Sequence, residues 1–161
     1  MSIVIREMMT SDLDEVWQIN QENVPAVGEE SIEALAEVLA MSSISLVAEF
    51  DNTVVGFCMV LGPHTSYGSP NYLYFCANLT NFIYLDRVAV TAAWQGKGIG
   101  ADLYREVESR STADWFALEV NTKPRNEGSL KFHAREGFVE MEECETRPGK
   151  KVSLMAKKLR G

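Results

Sequence analysis

The feature that most constrains this chain is a glycine-rich turn between a predicted buried strand and a predicted helix. The strand is the apolar, β-rich run from Phe82 to Val90, and the turn is Gly96-Lys97-Gly98-Ile99-Gly100-Ala101. Apolar residues spaced by four from Ile99 onwards predict a helix that ends near Ser111. Glycines have no Cβ to cover the backbone, and a helix N-terminus presents unpaired N–H groups. The turn is therefore suited to hold an anion such as a pyrophosphate.

Other interpretations of the turn have to be weighed against an anion site. Glycines can also serve only to pack a helix entry closely. A Walker A loop is excluded, because no Gly-Lys-Ser/Thr follows a glycine four residues earlier. Gly96, Gly98 and Ala101 match the dinucleotide pattern G-x-G-x-x-A, with Glu119 at about the expected distance downstream. Against that pattern, residues 91–95 separate the strand from the first glycine, and only one β-α-β unit is present.

The remaining periodicities predict a mixed α/β chain. Ile44–Phe50 and Thr53–Leu61 read as two strands of a hairpin around Asp51-Asn52. The other predicted strands are Ile3–Glu7, Trp115–Val120, Phe138–Glu143 and Val152–Lys158. Three further helices are predicted: one that begins after Thr10 or Ser11, one over Glu30–Met41 and one over Asn126–Glu136. Residues 62–80 have no clear periodicity, which predicts either a functional loop or a loop whose aromatics only pack on the sheet. Part of this segment is a candidate for a short extra strand.

Composition bounds the class of protein. The chain has 161 residues, 46% of them hydrophobic, which predicts one soluble domain over residues 1–161. A net charge of −8 argues against a nucleic-acid partner, and residues 1–50 hold ten acidic side chains against one basic side chain. No apolar run suits a membrane span or a signal peptide, so we expect no membrane partner. Three scattered cysteines predict free thiols in a cytoplasmic protein, and two histidines cannot build a His-rich metal site.

Three segments carry a pattern that is wider than the glycine turn. They are Asp86-Arg87-Val88-Ala89-Val90, the turn written as Gln95-x-x-Gly98-x-Gly100, and the residues from Asn126 to Phe138. They resemble the fourth strand, the Arg/Gln-x-x-Gly-x-Gly/Ala acyl-CoA loop and the Asn-x-x-Ala/Ser…Phe-Tyr…Gly-Phe segment of the GNAT superfamily of N-acyltransferases. The element order agrees with the family from Ile3 to Leu159. The resemblance implies an α/β domain whose mixed, mostly antiparallel sheet of about six or seven strands is flanked by about four helices.

The resemblance also implies acetyl-CoA as co-substrate. In the family, strands 4 and 5 splay apart, the pantetheine arm pairs with the backbone of strand 4, and a backbone N–H there polarises the thioester carbonyl. The pyrophosphate lies on the amides of the turn, where Lys97 either adds charge or is simply solvated. Asn126 contacts the arm in this comparison, and it could also cap its own helix. The residues assigned to acetyl-CoA are Val88, Ala89, Val90, Gln95, Gly96, Lys97, Gly98, Ile99, Gly100, Ala101, Asn126, Ser129 and Phe132.

Two residues are candidates for the proton transfers of such a reaction. His133 stands where members of the family commonly carry a tyrosine as the acid near the sulfur. It shares one helix face with Ser129, Phe132 and Glu136, and the resemblance implies that this face looks into the cleft. An imidazole can donate to a thiolate, and a packed histidine is the alternative. Glu119 is a carboxylate in an apolar run, so it is either the base, directly or through water, or a structural hydrogen-bond partner.

The predicted function is transfer of an acetyl group to a primary amine of a small molecule or peptide. In this fold the acceptor site is lined by residues that correspond to 12–41, 62–80 and 140–151. The first segment is strongly acidic, which indicates either a surface that serves solubility or a field that attracts a cationic acceptor. The second segment brings four aromatics, so the acceptor is expected to be a small amine with an apolar part; the aromatics are Tyr67, Tyr72, Tyr74 and Phe75. The alternative function is a non-catalytic acyl-CoA binder or sensor of the same fold. A homodimer is compatible with the sequence because many members of the family dimerise.

Overall fold

Strands and helices alternate over residues 2–159, which are the residues that the computed structural model describes. The strands are β1 (Val4–Glu7), β2 (Ile44–Phe50), β3 (Thr53–Leu61), β4 (Phe82–Val90), β5 (Trp115–Lys123), β6 (Val139–Arg147) and β7 (Lys150–Lys158). The helices are α1 (Leu13–Glu22), α2 (Ile32–Met41), α3 (Pro70–Asn78), α4 (Ile99–Arg110) and α5 (Glu127–Arg135). Within the described residues, no helix is long and apolar enough to cross a membrane.

The strands pair in the order β1-β2-β3-β4-β5-β7-β6. Antiparallel ladders join β1 to β2, β2 to β3, β5 to β7 and β7 to β6. β4 and β5 run parallel, with a register from Phe82 opposite Trp115 to Tyr84 opposite Ala117. A parallel pair needs a crossover connection, and α4 supplies it. The predicted mixed α/β fold with its mostly antiparallel sheet is confirmed, while the splaying of strands 4 and 5 stays a prediction.

The hairpin of β2 and β3 has the predicted bounds. Its turn residues Asp51 and Asn52 both have positive φ angles, 51° and 63°. A two-residue turn of this kind matches the twist of the strands it joins, and asparagine and aspartate tolerate the left-handed conformation better than most residues. Turn chemistry and two long apolar runs therefore fix this part of the fold locally.

Residues 62–80 differ from the prediction of an irregular loop with a candidate strand, because they contain helix α3. Pro70 is its first residue, a position where the missing N–H costs no intrahelical hydrogen bond. Tyr72 and Phe75 lie one turn apart and are fully buried. A nine-residue helix shows little more than two periods, and the flanking Gly and Pro residues are typical of loops. The described residues thus form five α-helices rather than the four expected.

The chain divides into two compact units. The first holds the residues up to Leu61 together with Leu85–Ser111, and its core includes Val16, Leu35, Leu46, Phe57 and Leu103. The second holds Gly62–Tyr84 and the residues from Thr112 onwards, and its core includes Tyr72, Phe75, Phe82, Phe116 and Phe138. Residues 1, 160 and 161, which the predicted single domain also includes, lie outside the described residues.

Candidate functional site

Two side-chain amides donate hydrogen bonds to the last carbonyl group of β4. The carbonyl oxygen of Val90 accepts hydrogen bonds from Gln95 Nε2 at 3.0 Å and from Asn23 Nδ2 at 3.2 Å. Gln95 Nε2 also donates to Asn23 Oδ1 at 3.1 Å, so its side chain ties the turn to the end of α1. On the other side, the Thr91 N–H donates to the Val55 carbonyl of β3 at 2.9 Å. Gln95, which the sequence assigned to acetyl-CoA, therefore also shapes the turn.

Two glycines of the turn before α4 adopt a backbone conformation that other residues rarely adopt. Gly96 and Gly98 have φ angles of 75° and 84°, a left-handed conformation that glycine adopts without steric cost. A Cβ at either position would meet no atom within 4 Å, so these glycines are not needed for close packing. At the start of α4 the Asp102 N–H donates to the Gly98 carbonyl at 3.0 Å, so the N–H groups of Ile99, Gly100 and Ala101 lie in the first turn, ahead of the intrahelical bonds.

These features fit a diphosphate group. The turn opens onto the N-terminus of α4, a twelve-residue helix, where the helix dipole favours negative charge. Ile99 is buried and anchors the helix, whereas Lys97 is exposed with its Nζ 6.0 Å from the centroid of the Trp94 ring. A cation and a set of unpaired backbone donors thus stand at one turn, which is the environment that the diphosphate of CoA requires.

Gly56 of β3 is a residue whose importance the sequence analysis missed. A Cβ there would lie 3.2 Å from Ile99 Cγ2 and 3.3 Å from the Ala89 carbonyl oxygen, closer than ordinary contacts. Glycine at this position therefore lets β3 pass close beneath the end of β4 and the start of α4. The available signal was a lone glycine in an otherwise apolar strand, which often marks a close backbone approach.

In the second unit, Glu119 of β5 is paired with Tyr84. The phenol oxygen lies 2.7 Å from Oε1 and 2.8 Å from Oε2 of the carboxylate, so its single hydrogen is shared between the two oxygens. Tyr84 is buried, whereas Glu119 is half-buried and retains acceptor capacity for a further donor. The sequence predicted that Glu119 needs a partner but did not identify it, because the parallel register of β4 and β5 decides which residue is close.

The last hairpin and α3 add polar groups near Glu119. Burial and the carboxylates of Glu142 and Glu119 raise the pKa of the Cys144 thiol. Burial, together with Glu142 and Cys144, raises the pKa of the Tyr74 phenol. Cys144 of segment 140–151 therefore lies near Glu119, while Tyr74 of segment 62–80 lies near Glu142 and Cys144; the sequence predicted that both segments line the acceptor site.

Two of the aromatics predicted for the acceptor site belong to the core instead. Tyr72 and Phe75 are fully buried, and the Tyr72 hydroxyl donates to the Gly62 carbonyl at 2.5 Å while it accepts from the Thr65 N–H at 3.0 Å. The Tyr72 ring also packs edge-on against Tyr84, with 5.3 Å between the ring centroids. The aromatic content of segment 62–80 was therefore partly a sign of a helix that packs on the sheet.

The N-terminus of α5 is capped by Asn126. Its Oδ1 accepts a hydrogen bond from the Ser129 N–H at 3.2 Å, and its own N–H donates to the Asn121 carbonyl at 3.0 Å. The capping role that the sequence left open is therefore confirmed. Phe132, also assigned to acetyl-CoA, is half-buried and lies against the Arg135 guanidinium, 5.8 Å from its ring centroid.

His133 turns back to its own helix. Its Nδ1 lies 2.8 Å from the Ser129 carbonyl oxygen and 3.2 Å from Ser129 Oγ. A carbonyl can only accept, so Nδ1 carries a hydrogen in both the neutral and the charged ring. The ring is 6% exposed and packs edge-on against Phe132 and Phe138. Burial lowers the pKa of His133 below its ordinary value, and the Ser129 carbonyl and Glu136 oppose that shift.

The predicted site residues therefore fall into two groups. Val88 to Val90 and the turn of Gln95 to Ala101, which residues 91–94 separate, lie in the first unit, while Glu119 and the α5 residues lie in the second. Within the second unit, Glu119 and His133 each have their own hydrogen-bond partner: Tyr84 bonds to Glu119, and Ser129 bonds to His133. Within the described residues, no group of three His, Cys, Asp or Glu side chains could hold a metal ion.

Residues 6–138 match the model of the acetyltransferase (GNAT) family. No curated protein matches the chain. Among solved structures, Ard1 from Thermoplasma volcanium aligns with a TM-score of 0.78 at 18% identity, over 100% of both chains. The ribosomal-protein-S18-alanine N-acetyltransferase from Escherichia coli has a TM-score of 0.76 at 18% identity, over 99% of this chain and 96% of its own. The yncA protein from Salmonella typhimurium, solved with its cofactor acetyl-CoA, has a TM-score of 0.74 at 16% identity, over 100% and 96%.

Proposed function

The chain belongs to the acetyltransferase (GNAT) family, and from this premise we propose that it transfers an acetyl group from acetyl-CoA to a primary amine of a small molecule or peptide. The observation that carries the proposal is the turn of residues 96–101, which leads into α4 and places the first N–H donors of that helix at the turn. Two left-handed glycines and a helix N-terminus hold those donors in a form that suits a diphosphate.

Each part of acetyl-CoA is assigned its own set of residues. The N–H groups of Gly96 to Ala101 would bind the diphosphate, with Lys97 adding positive charge. The backbone of Val88 to Val90 would pair with the pantetheine arm as an added strand, and one of its N–H groups would polarise the thioester carbonyl. We retain Asn126, Ser129 and Phe132 as contacts of the arm on the grounds of family resemblance.

Glu119 is our candidate for the general base. Acetyl-CoA supplies an activated acyl group with a thiolate leaving group, so the protein has to remove a proton from the incoming amine. Glu119 can accept that proton directly or through a water molecule, because its carboxylate is half-buried and carboxylate oxygens are proton acceptors. The phenol also restricts the rotation of the carboxylate and so favours one orientation towards the amine.

His133 is our candidate for the group that protonates the departing thiolate, and its environment sets a condition. Because Nδ1–H is directed at the Ser129 carbonyl, only Nε2 could deliver a proton, and Nε2 carries one in the imidazolium form. Burial lowers the pKa of His133, which reduces that form at neutral pH. If His133 is the acid, turnover falls in His133→Phe, and the loss of turnover that accompanies deprotonation of His133 as the pH rises disappears from the pH profile. An unchanged pH profile with full turnover would remove the assignment.

The proposal is tested by binding and by thiol release. Thermal shift measurements with acetyl-CoA, CoA and NAD should give stabilisation by the first two alone. Release of the CoA thiol should then depend on an added amine. Glu119→Gln should lower kcat while the Kd of acetyl-CoA stays unchanged, and Glu106→Gln on the surface of α4 serves as the matched control. Loss of acetyl-CoA affinity or of the fold in Glu119→Gln would indicate a structural role for this residue.

A non-catalytic acyl-CoA binder of the same fold is the second candidate. It is favoured by the burial of His133, with its bond back to Ser129, at the position where an acid is expected. Binding of acetyl-CoA without thiol release, for every amine offered, would establish this function instead.

We also propose that the protein works in the cytoplasm. Its three cysteines, Cys58, Cys76 and Cys144, are free thiols, as is typical of a reducing compartment. A homodimer stays a prediction.

A further inference from the structure

The connector between β4 and the glycine turn, residues 91–95, has little backbone support at its second end. It contains one short helical turn, Ala92–Trp94, whose Trp94 N–H donates to the Thr91 carbonyl at 2.9 Å. The next backbone bond, from the Gln95 N–H to the Ala92 carbonyl, is 3.4 Å long and therefore weak. The residue directly before Gly96 thus depends on its side chain for support.

Asn23, the residue that caps the C-terminus of α1, supplies that support. The Val90 carbonyl accepts from the side-chain amides of Gln95 and Asn23, and Gln95 Nε2 also donates to Asn23 Oδ1. These three bonds close a ring of two amides and one carbonyl. Asn23 Nδ2 donates in addition to the Ile19 carbonyl at 2.8 Å, which anchors the ring on the last turn of α1.

The hydrogen bonds of the ring use every hydrogen of the two amides. A primary amide carries two N–H hydrogens. Gln95 Nε2 donates to Val90 and Asn23, and Asn23 Nδ2 donates to Ile19 and Val90. Amide oxygens can only accept, so they offer nothing to a phosphate oxygen. Neither side chain has a hydrogen left for a diphosphate, and both can influence one only through the backbone that they hold.

The end of α1 also holds the first part of the connector. Glu22, the last residue of α1, accepts at Oε1 from Thr91 Oγ1 at 2.9 Å and from the Ala92 N–H at 3.4 Å. Glu22 and Asn23 therefore bind the connector near both of its ends, and all of these residues belong to the first unit.

We propose that Asn23 is a positioning residue for acetyl-CoA, which acts through Gln95 on the backbone of the glycine turn. The inference rests on the proposed function, because it takes the glycine turn as the site of the diphosphate. With the ring intact, the N–H groups of the turn are oriented before the ligand binds. Without it, binding has to order the turn as well, which lowers the affinity.

Asn23→Ala removes the ring while Gln95 remains. We expect calorimetric titration to show a rise of about three- to tenfold in the Kd of acetyl-CoA, the effect of losing one hydrogen bond. At saturating acetyl-CoA, kcat and the acceptor KM should change less than about twofold, because Asn23 contacts neither substrate. A general loss of stability would not produce this separation.

Asn78→Ala is the matched control. Asn78 is the last residue of α3, in the second unit, and its Nδ2 donates to the Tyr74 carbonyl at 2.7 Å. The bond spans four residues at a helix end, as the bond from Asn23 to Ile19 does. Asn78→Ala should therefore weaken a helix end to a similar degree and leave the Kd of acetyl-CoA unchanged.

A double-mutant cycle with Gln95→Ala tests the route of the effect. If Asn23 acts through Gln95, the double variant binds acetyl-CoA no more weakly than the weaker single variant, whereas independent effects would multiply. Asn23→Ser replaces Asn23→Ala if the latter does not fold. A serine hydroxyl can bond to the last turn of a helix, as Ser42 does to the Leu39 carbonyl at 2.8 Å, but it has no amide to rebuild the ring.

The outcomes separate this inference from the proposed function. If the wild type does not bind acetyl-CoA, both fall. If it does, the inference alone is overturned by an unchanged Kd in the folded Asn23 variant, by an equal rise in Asn78→Ala, or by effects that multiply in the double variant.

Discussion

At the scale of single residues, the bond between Tyr84 and Glu119 decides how the carboxylate can act. A carboxylate on a strand that is otherwise apolar is costly unless it is hydrogen-bonded. Tyr84 meets that need with one hydrogen shared between both oxygens, and it does so from a buried position that holds the phenol still. The bond to Tyr84 thus orients the carboxylate.

Tyr84→Phe removes this orienting bond without removing the ring. A hydrogen bond to a charged group is worth about 1.5–3 kcal/mol, so kcat should fall about ten- to a hundredfold if the bond acts in the transition state. The Kd of acetyl-CoA should not change. Tyr72→Phe is the matched control, since it deletes the phenol that bonds to Gly62 and should reduce stability while leaving kcat intact. Equal loss of kcat in both variants would contradict the role given to Tyr84.

Helical spacing predicted which residues share a face of α5, but it could not predict how the His133 side chain is directed. The ring bonds to the Ser129 carbonyl of the preceding turn, an arrangement that depends on the rotamer. The capping bond of Asn126 was foreseen, because Asn at the first position of a helix satisfies a nearby N–H regardless of the rest of the fold. Local rules of this kind are visible in a sequence, whereas rotamers in a packed core are not.

The buried imidazole should make stability depend on pH. Burial lowers the pKa of His133 in the folded chain, while the unfolded chain takes up the proton near pH 6.5. The contribution of the neutral ring is therefore present above about pH 6.5 and is lost as the pH falls through the folded pKa. Urea unfolding should show a larger loss of unfolding free energy on acidification for the wild type than for His133→Phe. His64→Asn, which replaces an exposed histidine, should follow the wild type; equal slopes for all three would refute the prediction.

At the scale of elements, β2, β3 and β4 were predicted with their observed bounds, whereas α3 was missed. The three strands are long apolar runs bounded by clear turn residues, so local composition determines them. α3 is short, begins at Pro70 and becomes stable because Tyr72 and Phe75 pack on the sheet. Tertiary packing of that kind supplies most of the stability of a short helix. These contacts involve residues far away in the sequence, so the nine residues of α3 alone do not reveal them.

The turn before α4 gives a prediction for an element whose backbone conformation is its function. Gly98→Ala forces a side chain into the left-handed region at a cost of about 1–2 kcal/mol. We expect the turn to relax and its N–H groups to rotate, so that the Kd of acetyl-CoA rises about five- to thirtyfold. Gly68→Ala, in a loop where a Cβ meets nothing within 4 Å and φ is not positive, should leave the Kd unchanged. Calorimetric titration with acetyl-CoA measures both.

At the scale of the whole molecule, the uneven distribution of charge is the property that the sequence alone already displays. Ten acidic side chains lie in residues 1–50 against one basic side chain, Arg6. The structure adds that Arg6 is itself bound to Asp12 at 2.8 Å and to Glu49 at 3.1 Å, so it neutralises carboxylates locally. By contrast, a cavity of about 640 Å³ beside Trp17 is lined by Glu29, Glu30 and Glu33. The sequence predicted an acidic segment for the acceptor, while only the fold could gather part of it around a cavity.

If the acidic residues of segment 1–50 attract the acceptor, acceptor binding should depend on salt. The reacting amine has to be neutral when it attacks, so the carboxylates act best on a second, protonated group of the acceptor. Screening shortens the range of that attraction from about 30 Å at 0.01 M salt to about 8 Å at 0.15 M. A diamine such as butane-1,4-diamine should therefore show a larger rise in KM over this interval than phenethylamine, an aromatic monoamine that has no second charge. Initial rates at saturating acetyl-CoA measure both, and the difference should shrink in Glu29→Gln and Glu33→Gln. A preference for acidic or uncharged acceptors, or an equal salt response of the two amines, would contradict an acceptor selected by charge.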